Sequence, residues 1–162
     1  MAQPEDEAEL VRKWQQITVI SPYSRELGLR LHKVEPDWCV IAVNPDGRVV
    51  GNLATGVVHG GVVTALLDSC YGLAIFVRMN VLRAMATLDL RIDYLKAATP
   101  GREIYGGAVC YKLGHELAFV RGAAYHESPD DPIATSSAIF MFTGGPVISL
   151  ENALDKMKGD TP

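Results

Sequence analysis

Apolar and polar positions along the chain recur with two different periods, and the switches between them mark the elements. Over residues 5–19, Leu10, Val11, Trp14 and Ile17 fall at helical spacing, and Ser21-Pro22 ends the pattern. Over residues 27–34, Leu27, Leu29 and Leu31 alternate with polar residues, as in a half-buried strand. Glu35-Pro36-Asp37 turns the chain into a second strand at Trp38–Val43, and Asn44-Pro45-Asp46-Gly47 closes it. A loop follows as far as His59.

Residues 60–77 then form the most apolar run of the chain, with Asp68 as its single charge. Val62, Ala65, Leu66, Ser69, Leu73 and Phe76 follow the i, i+3, i+4 rule, which predicts one long helix. A membrane span is rejected. The run holds Thr64, Asp68, Ser69 and Gly72, lacks basic anchors on its N-terminal side and sits among short strands. A helix apolar nearly all round is equally one enclosed by protein. Four strand patterns follow, at 87–95, 103–113, 117–126 and 133–142. The first is the clearest: Leu88, Leu90, Ile92 and Tyr94 share one face, and Asp89, Arg91 and Asp93 the other. Residues 149–158 form a possible short helix. Four consecutive strands with short connections imply an antiparallel sheet, and one apolar helix needs a sheet around it. The fold class is therefore α+β, an antiparallel sheet wrapped around one long central helix. The expected division is an N-terminal helix at 1–21, the main domain at 22–145 and a tail at 146–162.

A length of 162 residues fits one domain of this kind, and 48% apolar content supplies an ordinary core. The net charge of -4 excludes a general nucleic-acid binder, while leaving room for a local basic patch that holds a phosphorylated substrate. Cys39, Cys70 and Cys110 are widely spaced and form no CxxC or Cys/His cluster, so neither a disulfide framework nor a zinc site is expected. They are expected as small buried hydrophobes in a reducing compartment. The acidic N-terminus has no basic or apolar leader pattern, and the expected location is the cytoplasm.

Asp68 carries the strongest chemical signal. Burying a carboxylate in an apolar helix costs several kcal/mol unless it is hydrogen-bonded or kept protonated. Thr64, Ala65, Tyr71 and Gly72 at i±3 and i±4 supply no cation. Asp is also a poor mid-helix residue, so a functional carboxylate is the favoured reading. Gly60 and Gly61 answer either a loop-to-helix turn or a helix N-terminus whose free N–H groups and dipole face a substrate oxygen. His59 is a loop histidine or one that orders that turn. His32, His115 and His126 are expected to face solvent. Neither GxGxxG nor GxxxxGK occurs, which argues against a nucleotide-phosphate loop.

His59-Gly60-Gly61 followed by Asp68 in mid-helix resembles the HGG…D signature of hotdog-fold acyl-CoA thioesterases, in particular the phenylacetyl-CoA (PaaI-like) group. The strand Thr87-Leu-Asp-Leu-Arg-Ile-Asp-Tyr-Leu95, the turn Ala97-Ala98-Thr99-Pro100-Gly101 and the strand at Leu27-Gly28-Leu29 resemble the same family, over roughly residues 22–143. Asn52 stands one residue farther from His59 than the family's loop Asn. Either the loop is one residue longer or Asn52 is not its equivalent.

The resemblance implies hydrolysis of acyl- or aryl-CoA thioesters. Asp68 would be general base or nucleophile, the Gly60 N–H would polarise the carbonyl, and Thr87 would position water. Gly61, Tyr71, Arg91 and Lys96 are the candidate substrate contacts, with Arg102 and Arg121 as further cations for the CoA phosphates and Tyr23 or Leu27 for the acyl group. It also implies a homodimer or homotetramer with sites shared between subunits, no metal, no other cofactor, and no nucleic-acid or membrane partner. The alternatives are a hydratase or dehydratase of the same fold, and a non-catalytic acyl-CoA-binding protein.

Overall fold

The computed structural model describes residues 7–159. In chain order the elements are α1 (Glu7–Thr18), α2 (Pro22–Glu26), β1 (Leu29–Glu35), β2 (Trp38–Val43), β3 (Val50–Asn52), β4 (Val57–Val58), α3 (Gly60–Met79), β5 (Val81–Leu82), β6 (Met85–Tyr94), β7 (Ile104–Leu113), β8 (Leu117–Tyr125), β9 (Ala134–Phe142), β10 (Ile148–Ser149) and α4 (Leu150–Gly159). Every expected element is present within a few residues. Glu5 and Asp6, at the start of the expected first helix, lie outside the described residues. Three pieces are additional: α2, the β3–β4 hairpin inside the expected loop, and the short β5–β10 pair.

The main sheet has six strands in the order β1-β2-β7-β8-β9-β6, antiparallel at every pairing. β7, β8 and β9 form the expected meander. β6 does not hairpin with β7; it crosses to the far edge and pairs with β9. α3 packs across one face of this sheet, against β7, β2 and β8. This is the hotdog arrangement.

α3 is long and apolar enough to cross a membrane, and its sheet side is buried inside the protein. Leu66, Leu67, Cys70, Tyr71 and Ile75 are fully buried there. Each of the large aliphatic ones contributes roughly 2 kcal/mol by leaving water. Tyr71 seats on glycine: a Cβ on Gly122 would lie 3.0 Å from its ring and 2.0 Å from the Gly107 carbonyl oxygen. The opposite side of α3, with Thr64, Ala65, Asp68, Ser69, Gly72 and Phe76, stays partly open. The i, i+3, i+4 set read from the sequence therefore spans both sides, with Val62, Leu66 and Leu73 buried and Ala65, Ser69 and Phe76 partly open. α3 ends on Asn80, whose left-handed φ of 54° and N–H bond to Val77 O close the last turn.

The two sheet edges differ. β1 is covered by α1, where Trp14 and Ile17 are buried and the Gln15 side chain accepts from the Leu31 N–H. β6, ten residues long, has no strand on its outer side among the described residues.

Cys39, Cys70 and Cys110 are all unpaired and buried. Burial pushes the Cys39 thiol up to about 12 and raises those of Cys70 and Cys110 as well. A thiol reagent at neutral pH is therefore expected to label none of the three in the native protein and all three after unfolding. Rapid native labelling of any one would contradict this packing.

Candidate active site

α3 begins on an extended residue, His59 (φ -65°, ψ 133°), whose Nδ1 accepts from the Gly61 N–H at 2.9 Å. With Nδ1 as acceptor, the ring proton of the neutral imidazole sits on Nε2. The cap needs glycine beside it, since a Cβ on Gly61 would stand 2.9 Å from that same nitrogen. Gly51, from β3, lies against the other side, where a Cβ would fall 2.8 Å from His59 Cα. His59 thus acts on the backbone of its own helix.

The first turn is also tied from the sheet. Tyr94, at the end of β6, donates its hydroxyl to Gly60 O at 2.8 Å and stands 3.2 Å from Thr64 Oγ1. With Gly61 capped, the exposed Gly60 N–H has no acceptor among the described residues. It lies at the positive end of a 20-residue helix. A donor so placed can hold a negatively charged oxygen.

Asp68 lies two turns further on, half-buried on the open side of α3. It is not enclosed by the apolar run, as the sequence implied, but flanked by β6. Thr87 donates its hydroxyl to Asp68 Oδ1 at 2.9 Å. A β-bulge makes that contact possible. Leu90, Ile92 and Tyr94 pair with Ala138, Ser136 and Ala134, and a strict alternation would turn Thr87 to the other face. The register shifts between Thr87 and Asp89, so Thr87 pairs with the buried Phe140 and joins the helix side. Leu88 falls in the bulge and is 54% exposed, which corrects its expected place on the shared apolar face.

The site therefore has two halves on one helix. Eight residues separate the Gly60 and Asp68 positions, about 12 Å of helix rise at 1.5 Å per residue. No single thioester group reaches both within one chain.

The remaining candidates are dispersed. Asn52 is exposed on the β3–β4 hairpin, its Oδ1 accepting from Ala54 N–H (3.0 Å) and Thr55 N–H (3.3 Å), an Asx-type turn. Tyr71 faces the sheet and is fully enclosed, with burial raising its hydroxyl to about 12; it does not line the open side. Arg91 points away from α3 and pairs with Asp93 at 3.0 Å. Lys96 pairs with Asp131 and also lines a cavity of about 350 Å³ beside Gly60, with Val57, Val63, Tyr94 and Leu95. That size falls within the range of small-molecule sites. Arg102 pairs with Glu127, and Arg121 lies over the Tyr111 ring. His126 does not simply face solvent: its ring nitrogens engage Glu103 O at 2.7 Å and the Thr99 N–H at 2.9 Å. No metal-binding cluster occurs among the described residues. Tyr94 is the site residue that the sequence pattern did not single out, because alternation marks it only as another residue of the inner face.

The open side of α3 thus presents a carboxylate that holds a hydroxyl, and a helix N-terminal N–H with no acceptor among the described residues. The family model of the thioesterase superfamily matches residues 55–133, which contain both. The chain belongs to this superfamily of thioester hydrolases. The Salmonella typhimurium protein YigI, named a medium/long-chain acyl-CoA thioesterase, is 30% identical over 134 residues, covering 74% of this chain and 84% of YigI. The Escherichia coli YigI is 28% identical over the same length. A Pseudomonas aeruginosa protein of solved structure is 32% identical, with a TM-score of 0.74 over 82% of this chain and 98% of its own. The Thermus thermophilus phenylacetic acid degradation protein PaaI, solved as a mutant, is 25% identical, with a TM-score of 0.63 over 75% of this chain and 99% of its own.

Tyr94→Phe removes the hydroxyl that ties Gly60 to β6. It is expected to lower the unfolding free energy by about 1 kcal/mol, read by urea denaturation. An unchanged midpoint would mean that this bond adds nothing in solution.

Proposed function

We propose that the chain hydrolyses medium- and long-chain acyl-CoA thioesters in a site shared by two copies. The separation of the two halves along α3 carries this reading. In a two-fold dimer whose β6 strands pair edge to edge, α3 of one copy runs antiparallel to α3 of the other. The N-terminus of each helix then approaches the middle of its partner. The open ten-residue edge of β6, with Leu88 and Tyr94 half-exposed along it, supports such a pairing.

In this arrangement the Gly60 N–H of one copy donates to the thioester carbonyl oxygen and stabilises the oxyanion. Asp68 of the other is the general base. The Thr87 hydroxyl donates to Asp68 Oδ1, and its lone pairs accept from a water. Asp68 takes a proton from that water as its oxygen bonds to the carbonyl carbon. The C–S bond then breaks, and the CoA sulfur leaves with the proton. The cavity beside Gly60, with Lys96 on its rim, is the proposed approach for the CoA arm. The chain length is supported by the names of the YigI relatives. A cytosolic setting is supported by three unpaired cysteines.

Free-thiol release from acetyl-, octanoyl-, palmitoyl- and phenylacetyl-CoA tests the reading. Octanoyl- and palmitoyl-CoA should be preferred. Asp68→Asn should lower kcat by about 10²-fold or more with KM little changed. Gly60→Pro should cost on the order of 10²-fold, since it deletes the N–H while proline at the first helical position keeps the helix start. Near-normal turnover by Asp68→Asn would remove it from the mechanism, and a preference for phenylacetyl-CoA would replace the chain-length assignment with an aryl one.

A further inference from the structure

The open side of α3 continues past Asp68. Residues three and four apart on a helix are neighbours, so Gly72 lies directly beyond the carboxylate and Phe76 beyond Gly72. Along this line a groove of about 140 Å³ opens between α3 and the corner where α1 turns into α2. Ser69, Gly72 and Phe76 form its α3 side, Ile17 and Ile20 the facing wall, and Ile41 of β2 the floor. Gly72 widens it: the nearest atom to a Cβ built there is Met85 Cε, at 3.5 Å. Ile20, an aliphatic residue 52% exposed outside any helix or strand, stands at the rim. The groove is too small for a whole CoA ester, since small-molecule sites usually measure about 300 Å³ or more. It is mostly apolar and it begins one residue from the reacting carboxylate.

We infer that this groove holds the first methylenes of the acyl chain, and that Gly72 and Ile20 set the chain length the enzyme accepts. The inference rests on the thioester reading above and deepens it. With the carbonyl carbon at Asp68, the acyl chain must leave the reaction centre in a direction that the CoA arm does not occupy. The cavity beside Gly60 lies at the other half of the site, whereas the groove leads from Asp68 toward the C-terminus of α3. A linear chain lying against Gly72 passes Met85, whose Cε is 3.5 Å from a Cβ built at Gly72, and reaches Phe76 about 12 Å of helix beyond Asp68. A chain bound there exchanges water for Ile17, Ile20, Ile41 and Phe76. The gain grows with each methylene, while an acetyl group is too short to enter.

Gly72→Leu fills the groove from the helix side, where leucine is also the better helix former. Ile20→Trp fills it from the exposed rim, where a larger side chain disturbs little packing. Hydrolysis of acetyl-, butyryl-, octanoyl- and lauroyl-CoA is measured for wild type and both variants, and lauroyl-CoA affinity is measured by calorimetry with the same three in an Asp68→Asn background, where the ester is not consumed. Each variant is expected to lose about tenfold or more in kcat/KM for octanoyl- and lauroyl-CoA, the loss of about two buried methylenes. The loss should grow with chain length, smallest for acetyl-CoA, intermediate for butyryl-CoA and largest for lauroyl-CoA, and lauroyl-CoA should bind about tenfold more weakly. Wild-type chain-length profiles and affinity in both variants would overturn the groove while leaving the hydrolase reading intact. If wild type released no thiol but both variants still weakened lauroyl-CoA binding, the reaction would fall and the groove would stand.

Discussion

One sheet covers one side of the helix it packs against, and this constraint organises the molecule. α3 is apolar almost all round, yet the six-stranded sheet buries only the side with Leu66, Leu67, Cys70, Tyr71 and Ile75. The other side has to be finished by something else. α1 and α2 stand along one flank and β6 along the other, and between them lies a stripe with Asp68 at its centre. The carboxylate can sit in so apolar a segment because the stripe is open and Thr87 gives it a hydrogen bond. A fully wrapped α3 would have imposed the desolvation cost of a buried charge.

Two local devices aim the chemistry. At the start of α3, the His59 cap consumes the Gly61 N–H and Tyr94 consumes the Gly60 carbonyl, which leaves the Gly60 N–H as the outward donor. In β6, a bulge turns Thr87 onto the helix side without changing the faces of Leu90, Ile92 and Tyr94. Both devices tie α3 to β6. The same edge strand therefore orients both halves of the site and is the surface through which a second copy is proposed to complete it.

Much of this was legible in the sequence. The long apolar run could only be a central helix, and strict alternation located β6. A mid-helix Asp with no local cation marked the carboxylate. What escaped has a common cause: it depends on pairing between distant segments. The bulge at Leu88 is a mismatch in register with β9, invisible in the alternation of β6 alone. The crossing of β6 to the far edge is a topological choice that short connections do not reveal. The buried side of α3 could not be read, because an all-apolar helix has little periodicity to mark a face and Ala65 and Phe76 look as core-like as Leu66. Tyr71, aromatic and close to Asp68 in sequence, turned out to serve packing over Gly122. Tyr94 went unnoticed because its ring fits the apolar pattern while its hydroxyl holds Gly60.

In the proposed arrangement neither half of the site works without the other half from a second copy. Complementation between two crippled proteins tests it most directly. Asp68→Asn and Gly60→Pro are purified separately, mixed in equal amounts, allowed to exchange subunits and assayed on octanoyl-CoA. In a heterodimer one site carries both defects and the other carries none. With shared sites the mixture should recover roughly a quarter of wild-type activity, the value for random two-fold pairing, while each parent stays near background. A mixture as inactive as its parents, with heterodimers demonstrably formed, would place Gly60 and Asp68 of one chain in the same site and contradict the account.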